Sequence, residues 1–242
     1  DAIGYLVEHF GDPAIAAVAG NAKVGNRNNL LTRMQALEYI VAQNLDRRAF
    51  EVLNSITVVP GAIGAWRRDA VVAAGGYPER TIAEDADLTI SLLRRGHRVV
   101  YEERAIAMTE APEQLSQFIR QRFRWTFGTL QTAWRHRRAL TEGHLVGWIA
   151  IPNILLFQIL FQVLAPIVDF VFLSTLASLA THMIETRSLS VPPELQYYLL
   201  YYAAFIIVDL LLALFAFHGE PGENKRLIWL SFLQRFFYRQ IM

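Results

Sequence analysis

Over the first 144 positions apolar residues come in short runs and helical repeats, and beyond Gly143 they merge into long unbroken stretches. Ile3 to Phe10 reads as a helix. Ile15-Ala16-Ala17-Val18-Ala19, closed by Gly20-Asn21, has the continuous apolar character of a buried strand. Leu30, Met34, Leu37, Val41 and Leu45 recur at helical spacing, which predicts one apolar face on a helix from about Asn29 to Leu53. The β-branched run Ile56 to Val59 predicts a strand entering a turn at Pro60-Gly61, and Gly64 to Arg68 leaves that turn. Thr81-Ile82-Ala83-Glu84 has the Thr-x-x-Glu form of a capping box, so a helix should run from there to Arg95 and stop at Gly96. Arg98 to Tyr101 and Ala105 to Thr109 read as two strands, and Pro112 opens a long helix through Gln121 to about Arg138. Strands alternating with helices predict an α/β sheet domain over residues 1–144.

A second region follows, over residues 145–242. From Leu145 to Ala180 the only formal charge is Asp169. A helix of that length would run about 54 Å, against about 30 Å of bilayer hydrocarbon. The excess predicts a break near Pro152 or Pro166, giving a membrane-surface helix and then a span at about 165–182. Leu195 to Phe217 predicts a second span, with Tyr197, Tyr198, Tyr201 and Tyr202 at its start as an interfacial aromatic belt, and a third apolar segment begins at Leu227. Arg135, Arg137 and Arg138 precede these spans and Lys225 and Arg226 follow them, whereas residues 181–194 carry Arg187 alone among basic residues. That asymmetry places the polar region on the cytoplasmic side of a cell membrane. Gln158, Gln162, Asp169 and Asp209 are costly in lipid, so they either line a polar passage or hydrogen-bond helix to helix.

Charge sharpens the division. Residues 1–144 hold 18 of the 23 Lys and Arg and 16 of the 22 Asp and Glu. A net charge of +1 with no unexplained basic block gives no reason to expect nucleic acid as a partner. Without cysteine there is neither a disulfide framework nor a thiolate metal site, and the histidines show no metal-ligand pair at helical spacing.

Two stretches carry candidate chemistry. In Glu84-Asp85-Ala86-Asp87, Asp85 falls in the first turn of a helix, where the positive helix end favours the ionised carboxylate that a general base needs. Gln121-Arg122-Phe123-Arg124-Trp125 offers amide, guanidinium and indole on one helix. Arg124 presents a planar fork suited to phosphate oxygens, Trp125 a flat face suited to a sugar ring, and Gln121 lies one turn before Trp125 on the same side. Each has a plainer alternative: Asp85 as a capping charge, Trp125 as packing, and Arg120 and Arg122 as solvated helix charges. Asp85-x-Asp87 also has the bare form of a metal-binding pair, which alone assigns no metal.

The order and spacing of these stretches, followed by apolar helices, resemble the processive family 2 glycosyltransferases of membranes, which make cellulose, chitin-like, hyaluronan and poly-N-acetylglucosamine polymers. Gln121, Arg124 and Trp125 fit that family's Gln-x-x-Arg-Trp motif, and Ala83-Glu84-Asp85 stands where it usually has Thr-Glu-Asp. The resemblance implies a partial GT-A-like, Rossmann-type sheet followed by transmembrane helices. It assigns Asp85 as the catalytic base and Gln121, Arg124, Trp125, Glu84 and the Gly61 segment to substrate binding. It also implies Mg or Mn, held by an aspartate motif upstream of the matched portion, so that this stretch corresponds to the C-terminal half of a catalytic domain, without the donor-binding half, and would be inactive alone. The implied partners are a UDP-sugar donor, a growing polysaccharide, the lipid bilayer and accessory export subunits. An inverting β-transfer follows, with N-acetylglucosamine favoured. The rivals are a non-processive relative that glycosylates a lipid, and a membrane transporter or scaffold in which the α/β region only regulates.

Overall fold

Ten consecutive buried residues make β1 (Ile15–Val24) the centre of a three-stranded sheet. Its neighbours are β2 (Gly64–Trp66), paired antiparallel, and β3 (Arg98–Thr109), paired parallel. Alternate residues face opposite sides. Val18 and Val100 pack with Leu6 of α1 (Ala2–Glu8) on one face, and Ala17, Ala19, Val99 and Tyr101 join Leu88 and Leu92 on the other. Cover on both faces accounts for the continuous apolar run Ile15 to Ala19, while Asn21 and Lys23 farther along the strand are buried polar residues. The computed structural model describes residues 1–241, the side chain of Glu194 excepted. They divide into two units, Asp1–Leu160 and Phe161–Ile241.

A parallel pair needs a long crossover, and here the crossover carries several helices, the last of which bears Asp85, while the other helix of the site follows β3. Asn29 caps α2 (Leu30–Glu38), accepting from the Thr32 amide at 2.9 Å while the Thr32 hydroxyl accepts from the Asn29 amide at 3.2 Å. A π-helical stretch, Tyr39–Asn44, joins α2 to α3 (Leu45–Glu51). The helix expected over Asn29 to Leu53 is thus present, but the wider π turns shift its inward face. Asn44 and Arg47 are buried while Leu30 is exposed, so the regular apolar face expected through Leu45 does not hold. After β2 come α4 (Arg68–Ala74) and α5 (Glu84–Arg94), which ends where Gly96 adopts φ +84°, a left-handed conformation suited to glycine.

Three further local expectations are corrected. Ile56 to Val59 forms no strand, and Ile56 and Val59 are buried in the core cluster with α5 residues. The two strands expected from Arg98 to Thr109 are one strand whose register slips between the Gly20–Glu102 and Asn21–Ile106 pairs. Residues 103–105 form the bulge that separated the two apolar runs. The long helix, α6 (Leu115–Arg135), begins after Gln114 rather than at Pro112.

The first unit also includes residues 145–160, whose Val146, Ala150, Ile151 and Ile154 join the core with Leu88 and Ala133. Among the described residues two helices are long and apolar enough to cross a membrane: Val146–Thr186 and Leu195–His218. The former has no helix end at Pro152 or Pro166, where a break was expected. The second unit comprises α7 (Phe161–Thr186), α8 (Pro193–His218) and a short C-terminal helical segment. There Asp169 accepts from the Tyr202 hydroxyl at 2.8 Å, Arg235 Nε at 3.1 Å and Gln240 Nε2 at 2.7 Å. Asp209 accepts from Arg235 and Arg239, both at 2.9 Å. Of the two roles left open for these aspartates, bonding between helices is the one the second unit displays.

Candidate active site

Asp85 sits in the first turn of α5, half-buried. Its Oδ1 accepts from the Ala86 amide at 2.8 Å and its Oδ2 from the Gly61 amide at 3.4 Å. The turn after Pro60 thus lies directly against the carboxylate. Burial pushes the Asp85 carboxyl above the usual carboxylate range; the Ala86 amide opposes this, and the charge of Glu84 adds to it. The helix end was expected to favour ionisation, but desolvation outweighs it here. A raised carboxyl is a stronger base once ionised.

The acidic turn is not built as a capping box. Ala83 occupies the N-cap and makes no side-chain cap. The Thr81 hydroxyl instead donates to Asp87 Oδ2 at 3.0 Å. Asp87, fully buried, also meets Arg135 at 3.1 Å and His136 Nε2 at 2.6 Å. Arg94 Nη1 approaches His136 Nδ1 at 2.9 Å, and a guanidinium can only donate. His136 Nδ1 is therefore the acceptor, and its Nε2–H donates to Asp87. Burial raises the Asp87 carboxyl, but the hydrogen bonds from His136 and Thr81 and the Arg135 charge hold it below its ordinary value. So Asp85 and Asp87, adjacent in pattern, part in function: one faces the Gly61 turn, the other locks α5 to the end of α6.

Gly128 of α6 lies where the two stretches meet. A Cβ placed on it would come within 2.8 Å of both the amide nitrogen and the Cβ of Ala83. Only a glycine lets the helix backbone approach this closely. Nearby, the Ile82 amide donates to Gln131 Oε1 at 3.2 Å. Gln121 is two helical turns before Gly128, and Arg124 and Trp125 are one turn before it, so these motif residues lie on the side of α6 that meets the acidic turn. Arg124 is exposed and has no partner among the described residues. The Gln121 Oε1 is buried with no hydrogen-bond partner among the described residues. Trp125 is half-buried. Glu84 is exposed at the mouth of the turn.

Behind the motif lie residues that local reading placed elsewhere. Arg122, taken as a solvated charge, is buried and forms a fork-to-fork pair with Glu38 of α2, both bonds 2.7 Å. Its guanidinium stacks on Trp125 at 4.5 Å and on Phe118 at 4.8 Å. Arg47 is buried too, donating to Asn44 Oδ1 at 3.0 Å, and Asn44 bonds Asn21 at 2.8 Å. Burial lowers the Arg47 pKa, while the charges of Tyr101, Tyr39, Asp46 and Asp85 oppose that fall. Tyr77 packs edge-on against Trp66 at 6.1 Å, and burial followed by the charges of Asp85 and Glu84 raises its hydroxyl pKa. None of these carries a signal within its own stretch; Glu38, for instance, lies 84 residues from its partner. Among the described residues no group of His, Cys, Asp and Glu forms a metal site, and Asp87 faces away from Asp85.

Against known proteins, the chain is 31% identical over 129 residues to the poly-β-1,6-N-acetyl-D-glucosamine synthase of Staphylococcus aureus strain COL, covering 53% of this chain and 31% of that protein. It is 33% identical over 141 residues to an N-acetylglucosaminyltransferase of Neorhizobium galegae, covering 54% of this chain and 32% of that one. The matched region thus spans about a third of these relatives. A solved mannosyltransferase of Pyrobaculum calidifontis, in complex with GDP-Man and Mn2+, aligns over 98% of this chain and 58% of its own with a TM-score of 0.46 and 14% identity. The model of the family described as "Glycosyl transferase family group 2" matches residues 1–217, and the chain belongs to that family of glycosyltransferases.

Proposed function

We propose that the chain supplies the acceptor side of an inverting, processive β-glycosyltransferase that extends a polysaccharide from a UDP-sugar, N-acetylglucosamine being favoured. The observation that supports this most is the contact of Gly128 with Ala83, which joins the helix of Gln121, Arg124 and Trp125 to the turn of Asp85. The names of the relatives point to the same sugar.

In this reading Asp85 is the general base. Its Oδ1 is held by the Ala86 amide, leaving Oδ2, with its long bond to Gly61, to take the proton of the acceptor hydroxyl. The hydroxyl oxygen attacks the anomeric carbon as the bond to the diphosphate breaks, so the configuration inverts and UDP leaves. The partner-free Arg124 guanidinium meets the developing phosphate charge. The half-buried Gln121 side chain offers its amide to a sugar hydroxyl. Trp125 offers its ring to the acceptor. A divalent ion would supply charge neutralisation at the diphosphate, but the described residues do not fit a metal site, and the roles above belong to side chains alone.

The membrane reading rests on the two apolar helices and on α6 itself. Leu115, Ile119, Phe123, Phe127, Leu130 and Trp134 are all exposed and follow one another at helical spacing. They lie opposite Gly128 on a helix with no acidic residue, and Arg120 stands exposed beside them, whereas Arg122 and Arg135 are taken up by Glu38 and Asp87. Such a face suits an anionic cytoplasmic leaflet, with the acidic turn on the water side. Processivity is tested by product length: membranes with the intact protein and labelled UDP-N-acetylglucosamine should give long polymer even when donor is limiting. Single-sugar products on lipid would replace the reading with the glycolipid alternative.

A further inference from the structure

We infer that Arg122 and Glu38 form a positioning pair that fixes the Trp125 indole in the orientation needed to receive the acceptor sugar. The inference rests on the reading of Trp125 as an acceptor contact and assigns a role to two residues outside the three motif positions. Arg122 is 5% exposed and Glu38 8%. Charged residues this buried persist only when closely paired. Here the pairing is two parallel bonds of 2.7 Å, the geometry that a guanidinium allows and an ammonium does not.

The pair also has a direction. Glu38 ends α2, immediately before the π-helical stretch, so its carboxylate is fixed by a capped helix rather than by a loop. The guanidinium it clamps lies 4.5 Å from the Trp125 ring and 4.8 Å from the Phe118 ring. Phe118 is fully buried, whereas Trp125 is half-buried. The cation therefore stands between a fixed aromatic wall and an indole that reaches the surface. It covers part of the indole and leaves the remainder for a ligand. A sugar stacks through its C–H face on a π surface, and that contact needs one ring orientation. Arg122 and Glu38 restrict the ring in advance, so acceptor binding loses less conformational freedom.

The test uses the intact membrane protein labelled with 5-fluorotryptophan, in an Asp85→Asn background so that no transfer occurs, with Trp125→Phe to assign the Trp125 fluorine signal. A β-linked N-acetylglucosamine oligosaccharide is the probe. The parent should show one narrow Trp125 line that shifts on titration. Arg122→Lys and Glu38→Gln should each broaden or split that line and weaken oligosaccharide binding roughly tenfold, while the Trp134 and Trp148 lines stay in place as the check on folding. In proteins that retain Asp85, both substitutions should raise the acceptor KM by a similar factor and leave the donor KM unchanged. Arg120→Lys, an exposed change on the same helix, should do neither. A Trp125 line and an oligosaccharide affinity unaltered in both variants would overturn the inference, as would equal losses in donor and acceptor terms. If Asp85→Asn proved fully active, the catalytic reading would fail, yet the fluorine comparison would still decide the role of Arg122.

Discussion

Replacing Gly128 with alanine tests the junction on which the site depends. The added methyl would sit 2.8 Å from the Cβ and from the amide nitrogen of Ala83 and 3.3 Å from its Cα. Non-bonded carbons rest at about 3.5–4.0 Å, so α6 and the acidic turn must part by about 1 Å. Backbone atoms at an N-cap cannot swing aside as a side-chain end can. Overpacking of this kind costs about 1–3 kcal/mol, and the better helix propensity of alanine returns about 1 kcal/mol. The net loss of stability is then about 0–2 kcal/mol, a modest drop in thermal midpoint. Activity should fall far more, since a 1 Å misplacement of reacting groups costs about a hundredfold. Ala83→Gly in the same protein removes the Cβ contact but not the amide contact, so it should restore only part of the rate. Gly11→Ala, where a Cβ meets nothing within 4 Å, is the neutral control. Thermal unfolding in detergent and UDP release from the same preparations would be read together. A Gly128→Ala protein that transfers sugar within about twofold of the parent would refute the junction.

Other consequences follow from the charges. The Asp85 carboxyl is raised on folding, chiefly by burial, so the protonated form supports the fold, and that support is lost as pH rises through the folded pKa. Asp85→Asn should therefore melt no lower than the parent at neutral pH, and the acid limb of the parent's transfer profile should lie above the ordinary carboxylate range; a lower melt or an ordinary limb would contradict this. Asp87 behaves oppositely: held below its ordinary pKa despite burial, it adds stability that is lost as pH falls through the folded value. Asp87→Ala leaves His136 and Arg135 without their carboxylate and should cost about 3–5 kcal/mol at pH 7 by thermal unfolding, whereas a change below about 1 kcal/mol would count against the lock. Arg235→Met leaves Asp169 with the neutral donors Tyr202 and Gln240 and Asp209 with Arg239 as its cation, and should lower the melting temperature in detergent; an unchanged midpoint would show that the Arg235 contacts carry no weight.

The elements legible in the sequence are those whose signal is local. The start of β1 shows as a doubly covered apolar run, and α5 is framed by an acidic first turn and by Gly96, so the place of Asp85 in that turn is legible from the sequence alone. Partners at long range left no trace. Thr81 has the spacing of a cap, yet the buried Asp87 takes its hydroxyl. Arg122 looked like any helix arginine because Glu38 and the π-helical turn beside it are visible only in three dimensions. Ile56 and Val59 have strand composition because burial selects the same residues whether or not a ladder forms. Pro166 lies inside a helix, where flanking turns of an apolar segment can accommodate the missing bond.

The central claim is that Asp85 is the base of a sugar transfer. It is tested most directly by UDP release from membranes carrying the intact protein, supplied separately with UDP-N-acetylglucosamine and UDP-glucose, and repeated with Asp85→Asn. Release with the first donor that falls by about a hundredfold or more in the variant, with the protein still folded, is the expected result. Release that Asp85→Asn leaves untouched would reduce this carboxylate to a charge at the end of a helix.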